Sequence, residues 1–281
     1  HDFLYHQILE FAKSKDEVRV VEMNGSRVND AIPPDDYQDF DMVFYVKDYH
    51  KFMSLKPFIY QLGEVLVMQT KDDQIMTDQD REAPWYVYLV QYKNGTRLDL
   101  TIKDISLLNQ SLKEDSLSKI LIDKDGFKID SNPNESSYYV QPPTKADFER
   151  TVNEFYWVCP YVGKGIARKH FIYAHKHLEI IRNQLERVLD WSIGIEHQFK
   201  VSVGKGKHRY KKMLNETRFK KYKTTFSELD GSGLEDSLVN AIELFNDVCL
   251  EIIKRYNFPY DISLKDKVIQ FIQTQYIINE S

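Results

Sequence analysis

Two aspartates, Asp39 and Asp41, stand at the entrance to an apolar run, Met42-Val43-Phe44-Tyr45-Val46, and a Gly-Ser pair, Gly25-Ser26, lies upstream of them. The run reads as a strand. Successive side chains of a strand alternate between faces, so Asp39 and Asp41 project together while Phe40, Met42 and Phe44 point the other way. Neighbouring carboxylates repel unless a cation lies between them. Oxygen ligands on a rigid element suit Mg²⁺, which is held by one or two carboxylates together with substrate phosphates. The Gly-Ser turn offers backbone N–H groups and a hydroxyl to those phosphates. A phosphate cradle followed by a carboxylate pair of this kind is an arrangement for nucleotidyl transfer. An isolated Asp-x-Asp on a half-exposed strand is more often a solvated pair. Here the Gly-Ser turn, the apolar opposite face and a third aspartate weigh toward chemistry.

The third aspartate is Asp99, in Arg97-Leu98-Asp99-Leu100-Thr101-Ile102. Leu98, Leu100 and Ile102 share one face of this strand, and Arg97, Asp99 and Thr101 share the other. Taken alone, Asp99 reads as an edge-strand charge facing solvent. Lys164, in Val162-Gly163-Lys164-Gly165, is expected at a helix start, where a cation beside N-terminal N–H groups suits an anion; a surface lysine at a cap is the plainer reading. His170, His175 and His177 lack zinc-ligand spacing and receive no metal role. Gly204-Lys205-Gly206-Lys207 lacks the Walker spacing and reads as a mobile, solvated loop, and Asp123-Lys124-Asp125-Gly126 fails as a Ca²⁺ loop.

The elements that position these residues follow from periodicity and breakers. Residues 2–13 form an amphipathic helix, and Val18 to Met23 is a strand that delivers the chain to the Gly-Ser turn. Pro33-Pro34 stiffens the loop back to Asp39. Asp48 caps a helix reaching about Tyr60, with Pro57 as a break, and 64–69 and 85–92 are strands around a polar loop at 71–82. Asn94-Gly95 makes the second of these strands a hairpin with the Asp99 strand. Residues 104–120 read as one or two short helices. Asn132-Pro133-Asn134 and Pro142-Pro143 mark a linker, giving domains 1–141 and 142–281. Beyond it, Thr144-x-x-Asp147 opens a helix that Pro160 ends, and further helices span about 165–195, with a break near Asp190, then 234–256 and 264–278. The fold class is an α/β N-terminal domain with a mixed sheet, followed by an all-α bundle.

The 281 residues suffice for two cores, and 42% hydrophobic with 29% charged residues is ordinary for a folded globular chain. A net charge of −5 and a pI near 5.9 disfavour nucleic acid as the main partner and suit a cationic one. No run approaches a membrane span and no leader precedes the first helix; His1 reads as a processed, truncated or tag-derived start. Cys159 and Cys249 lie in apolar helical patterns, which suits a reduced, cytoplasmic protein.

Met23 to Asn29, Gln38 to Asp48, Arg97 to Leu100 and Glu114 to Gly126 together resemble the aminoglycoside 6-adenylyltransferases, the streptomycin-modifying group of the DNA polymerase β-like nucleotidyltransferases. The similarity extends through 142–157, 162–165 and 189–195, and so covers nearly the whole chain. It implies ATP as co-substrate, Mg²⁺, and a cationic aminoglycoside acceptor in a cleft between the two domains, with AMP passing to the 6-hydroxyl of streptomycin and pyrophosphate leaving. Asp39 and Asp41 are then metal ligands, and Asp99 is a third ligand, the base, or both. Gly25, Ser26, Arg27 and Lys164 bind the nucleotide phosphates, and Glu154 and Glu179 are candidates for the acceptor's guanidinium groups. A monomer is favoured, without membrane or nucleic acid. Transfer to an RNA end or a protein hydroxyl, and a non-catalytic nucleotide sensor, are the alternatives.

Overall fold

The computed structural model describes residues 2–54, 58–74, 77, 81–129 and 132–277. Pro57, parts of the 71–82 loop and Asp130 at the head of the linker lie outside them. The chain divides into two compact units, residues 1–137 and 138–281.

The first unit runs α1 Asp2–Ser14, β1 Val18–Asn24, β2 Phe40–Val46, α2 Tyr49–Met53, β3 Val65–Thr70, β4 Trp85–Tyr92, β5 Arg97–Asp104, α3 Leu108–Glu114 and β6 Ser118–Asp123. The strands form one sheet in the order β3-β4-β5-β2-β1-β6. Among the described residues only β2 and β5 pair in parallel; the other neighbours are antiparallel. β2 is apolar on both faces over most of its length, as a central strand covered on both sides must be. One face of the sheet, carrying Met23, Phe40, Met42, Phe44, Leu98, Leu100 and Ile102, packs on Leu4, Ile8 and Ala12 of α1. On the other face, α3 places Leu108 with Val20, Val43 and Tyr45. That small core lies toward the C-terminal ends of β2 and β5, beside Lys103, while Asp41 and Asp99 of the same face lie toward their N-terminal ends.

β6 departs from the sequence expectation, which carried helix to residue 120 and placed no strand here. Ser118–Asp123 instead pairs antiparallel with β1. Its β-branched Ile120 and Ile122 favour a strand. The helix from Asp48 is also shorter than expected: Asp48 accepts from Lys51 N–H at 3.0 Å, and the helix ends at Met53.

The second unit is all-helical: α4 Lys145–Ala167, α5 Phe171–Glu196, α6 Tyr210–Met213, α7 Glu216–Lys223, α8 Gly231–Tyr256 and α9 Leu264–Ile272. Thr144 and Asp147 form the capping box, with Asp147 N–H donating to Thr144 Oγ1 at 3.1 Å and Thr144 N–H to Asp147 Oδ2 at 3.2 Å. Pro160 lies inside α4 and does not end it. A mid-helix proline costs about 3 kcal/mol, but Phe155, Tyr156, Val158, Cys159 and Val162 around it are all buried, and packing decides helical stability. The break comes after Ala167, where Lys169 has φ +56° and His170 N–H donates to Gly165 O at 2.8 Å. α5 then runs uninterrupted past Asp190. The 204–207 loop is anchored: Lys207 pairs with Asp190, which also accepts from the Tyr210 hydroxyl at 2.6 Å.

Candidate active site

The register of β2 and β5 sets Asp41 directly beside Asp99, and the β1–β2 register sets Asn24 on the other side of Asp41. Paired residues on neighbouring strands project to the same face, so Asn24, Asp41 and Asp99 form one polar row across three strands. Both aspartates are partly exposed. Their strand neighbours Phe40, Met42, Leu98 and Leu100 are buried on the opposite face and hold the row in place.

Gly25 follows Asn24 and begins a 3₁₀ turn, Gly25–Val28. Its φ of +74° lies in the left-handed region that glycine adopts without steric cost. A Cβ built there would stand 2.2 Å from Asp41 Oδ2, so the turn and the carboxylate are in direct contact. The Gly25 N–H, expected in the phosphate cradle, donates instead to Leu117 O at 3.3 Å, a backbone bond between the β1 and β6 chains. Ser26 is next, half-buried, at the start of the turn.

Arg27 is occupied differently from the sequence expectation. Its Nε donates to Asp39 O at 2.9 Å and its Nη2 to Gln38 O at 2.8 Å, while the guanidinium lies 3.8 Å over the Phe40 ring. Gln38 Nε2 in turn donates to Ser26 O at 3.2 Å. These bonds fasten the loop carrying Asp39 to the Gly-Ser turn, which makes Arg27 a residue that positions Asp39. Asp39 itself precedes β2, and its Oδ2 lies 3.6 Å from Arg97 Nε. Arg97 also holds Asp99 through two hydrogen bonds of 2.8 Å each. Those bonds, and the charges of Asp99, Asp39 and Asp41, raise the guanidinium above its ordinary pKa against the opposing effect of burial.

Lys164 lies in the last turn of α4, at a helix C-terminus and not at a start. The glycines beside it serve packing. A Cβ on Gly165 would approach Ala174 Cβ of α5 to 2.8 Å, and one on Gly163 would approach Ile272 Cγ2 to 2.8 Å. A lysine there complements the negative end of its own helix dipole.

Glu22, two residues before Asn24 on the same face of β1, was not singled out in the sequence. It is only 1% exposed. Its carboxylate accepts from the Tyr45 hydroxyl and the Ser118 hydroxyl, each at 2.5 Å. With its amide nitrogen turned toward acceptors, Asn24 donates to Glu22 Oε1 at 2.7 Å. Burial and the Glu22 charge push the Tyr45 phenol far above its ordinary value, keeping it a donor. The signal available was a carboxylate in step with Asn24 inside an otherwise apolar strand.

Among the described residues, no group of three or more His, Cys, Asp or Glu side chains converges as a metal site. The Asp41–Asp99 pair nevertheless fits Mg²⁺, which needs only one or two protein carboxylates when substrate phosphates complete its shell. The family profile described as Streptomycin adenylyltransferase matches residues 2–275.

The chain belongs to the streptomycin adenylyltransferase family.

This adenylyltransferase-family chain has relatives similar over almost their whole length. The aminoglycoside 6-adenylyltransferase of Campylobacter jejuni is 32% identical over 272 residues, 95% of this chain and 94% of the relative. That of Bacillus subtilis strain 168 is 32% identical over 255 residues, covering 90% and 89%. That of Staphylococcus aureus is 30% identical over 274 residues, covering 96% of each. Family membership makes the chain a nucleotidyltransferase.

Proposed function

We propose that this nucleotidyltransferase transfers AMP from ATP to the 6-hydroxyl of streptomycin or a close aminoglycoside, releasing pyrophosphate. The observation that carries the reading is the in-register pair Asp41–Asp99 set against the Gly25 turn. The acceptor oxygen forms a bond to the α-phosphorus as the bond from that phosphorus to the bridging oxygen breaks, and pyrophosphate leaves with the electron pair. Asp99 takes the hydroxyl proton, a contribution of roughly 10²–10⁴-fold for a positioned base. Ser26 offers its hydroxyl and backbone N–H to the β- and γ-phosphates, and Gly25 lets them approach. Arg27 holds the Gln38–Asp39 backbone in place. Asp41, with Asp99 and Asp39 near it, would hold Mg²⁺, which neutralises charge on the triphosphate and on the departing pyrophosphate. Lys164 keeps only its own charge for a phosphate role.

The charge of −5 favours a polycationic acceptor over a polyanion. Glu154 and Glu179 are exposed and suit pairing with guanidinium groups; Glu179 already lies 3.4 Å from His175 Nε2. Cys159 and Cys249 are buried free thiols, which supports a reducing, cytoplasmic setting. Among the described residues no helix is long and apolar enough to cross a membrane.

A pyrophosphate-release assay with ATP and Mg²⁺ tests the proposal against a panel of aminoglycosides and a short RNA. Release with streptomycin, and an AMP–streptomycin adduct by mass spectrometry, is expected. Release with RNA alone, or with no acceptor in the panel, would overturn it.

A further inference from the structure

The carboxylate row carries a cation of its own. Arg97 precedes Asp99 by two residues on β5, so both side chains stand on the same face. The guanidinium meets Asp99 as a fork, Nε to Oδ1 and Nη2 to Oδ2, both at 2.8 Å, and the same Nε lies 3.6 Å from Asp39 Oδ2. An arginine keeps its charge throughout the working pH range, so this contact cannot be relieved by proton loss. Both oxygens of Asp99 are therefore engaged, and a carboxylate held in that way is poorly placed to receive a metal ion or a proton. The Arg97 side chain is 43% exposed, which lets it swing into solvent without opening the core.

We propose that Arg97 is the resting counter-cation of this site: it occupies Asp99 and Asp39 in the metal-free enzyme and yields Asp99 when a divalent cation arrives. Arg97 is thus a positioning residue that competes with the metal for the same carboxylates. In the metal-free state it relieves repulsion between Asp39, Asp41 and Asp99. Asp99 becomes available as a base only once the guanidinium has moved off. The inference rests on the reading of Asp41 and Asp99 as the metal site, and the test separates the two.

Mn²⁺ serves as the probe, with free Mn²⁺ measured by electron paramagnetic resonance in the nucleotide-free protein. Arg97→Gln should bind Mn²⁺ more tightly than the native chain, on the order of tenfold, the equivalent of one charge-assisted hydrogen-bonded contact. Its melting temperature should fall without metal and recover when Mn²⁺ is added. Asp41→Asn should lose Mn²⁺ binding. Equal or weaker binding by Arg97→Gln, with binding still lost in Asp41→Asn, overturns the role of Arg97 and leaves the metal site standing. Unchanged binding by Asp41→Asn overturns the metal-site reading itself. Should Arg97→Gln not fold, Arg97→Lys decides: it keeps the charge without the fork, so a smaller tightening is expected, and unchanged affinity overturns the proposal.

Discussion

Gly25 is the residue on which two constraints meet. Its φ of +74° is strained for any other residue type, at a cost of about 1–2 kcal/mol. A side chain there would also collide with Asp41 Oδ2. Gly25→Val must therefore move either the turn or the carboxylate, and both belong to the proposed triphosphate site. Isothermal calorimetry should find Mg·ATP binding abolished, while circular dichroism retains the helical signal of residues 138–281. Unchanged ATP affinity would remove the turn from the phosphate site. Arg27 shows how a neighbouring residue differs in kind. Its Nε and Nη2 serve the Asp39 and Gln38 carbonyls, which fixes the backbone that carries Asp39.

At the scale of the element, β1 does more than deliver the chain to that turn. Glu22 ties β1 to β2 through Tyr45 and to β6 through Ser118, directly behind Asn24. Truncating it leaves two hydroxyls without their acceptor in a buried setting, each worth roughly 1–3 kcal/mol. Glu22→Ala should lose about 3 kcal/mol in urea denaturation, whereas Glu22→Gln keeps an acceptor and loses less; a Glu22→Ala chain as stable as the native one would contradict this role. Sequence pattern exposed much of the sheet, because β2 and β5 alternate a carboxylate face with an unbroken apolar one. The placement of Asp41 and Asp99 on one sheet face was legible for that reason, and the hairpin of β4 and β5 was legible from its Asn94-Gly95 dipeptide. Glu22 was not, since its hydroxyl partners come from residues 45 and 118, and a single strand does not display them. β6 was hidden because its short apolar run continues the pattern of α3. Pro160 misled in the opposite sense: local propensity ends a helix there, but the buried faces on either side of it carry α4 through. The same holds for the Val162–Gly165 segment, whose glycines answer to Ala174 and Ile272, which lie on other helices.

The whole molecule consists of two units with separate cores, an α/β sheet unit and a helical one, in a chain of net acidic charge. The chemistry assigned to it is concentrated in the first unit, on one row of one sheet face. That row carries the proposed chemistry, and the account stands or falls on what it does to ATP. The most direct measurement is transfer of AMP from ATP to streptomycin by this enzyme, native and Asp99→Asn, with ATP affinity measured in parallel across a metal titration. The native chain should form the adduct. Asp99→Asn should still bind Mg·ATP at raised metal concentration, yet transfer roughly 10²–10⁴-fold more slowly even where excess Mn²⁺ refills the site. A native chain that forms no adduct, or an Asp99→Asn variant that keeps the native rate, would contradict the account.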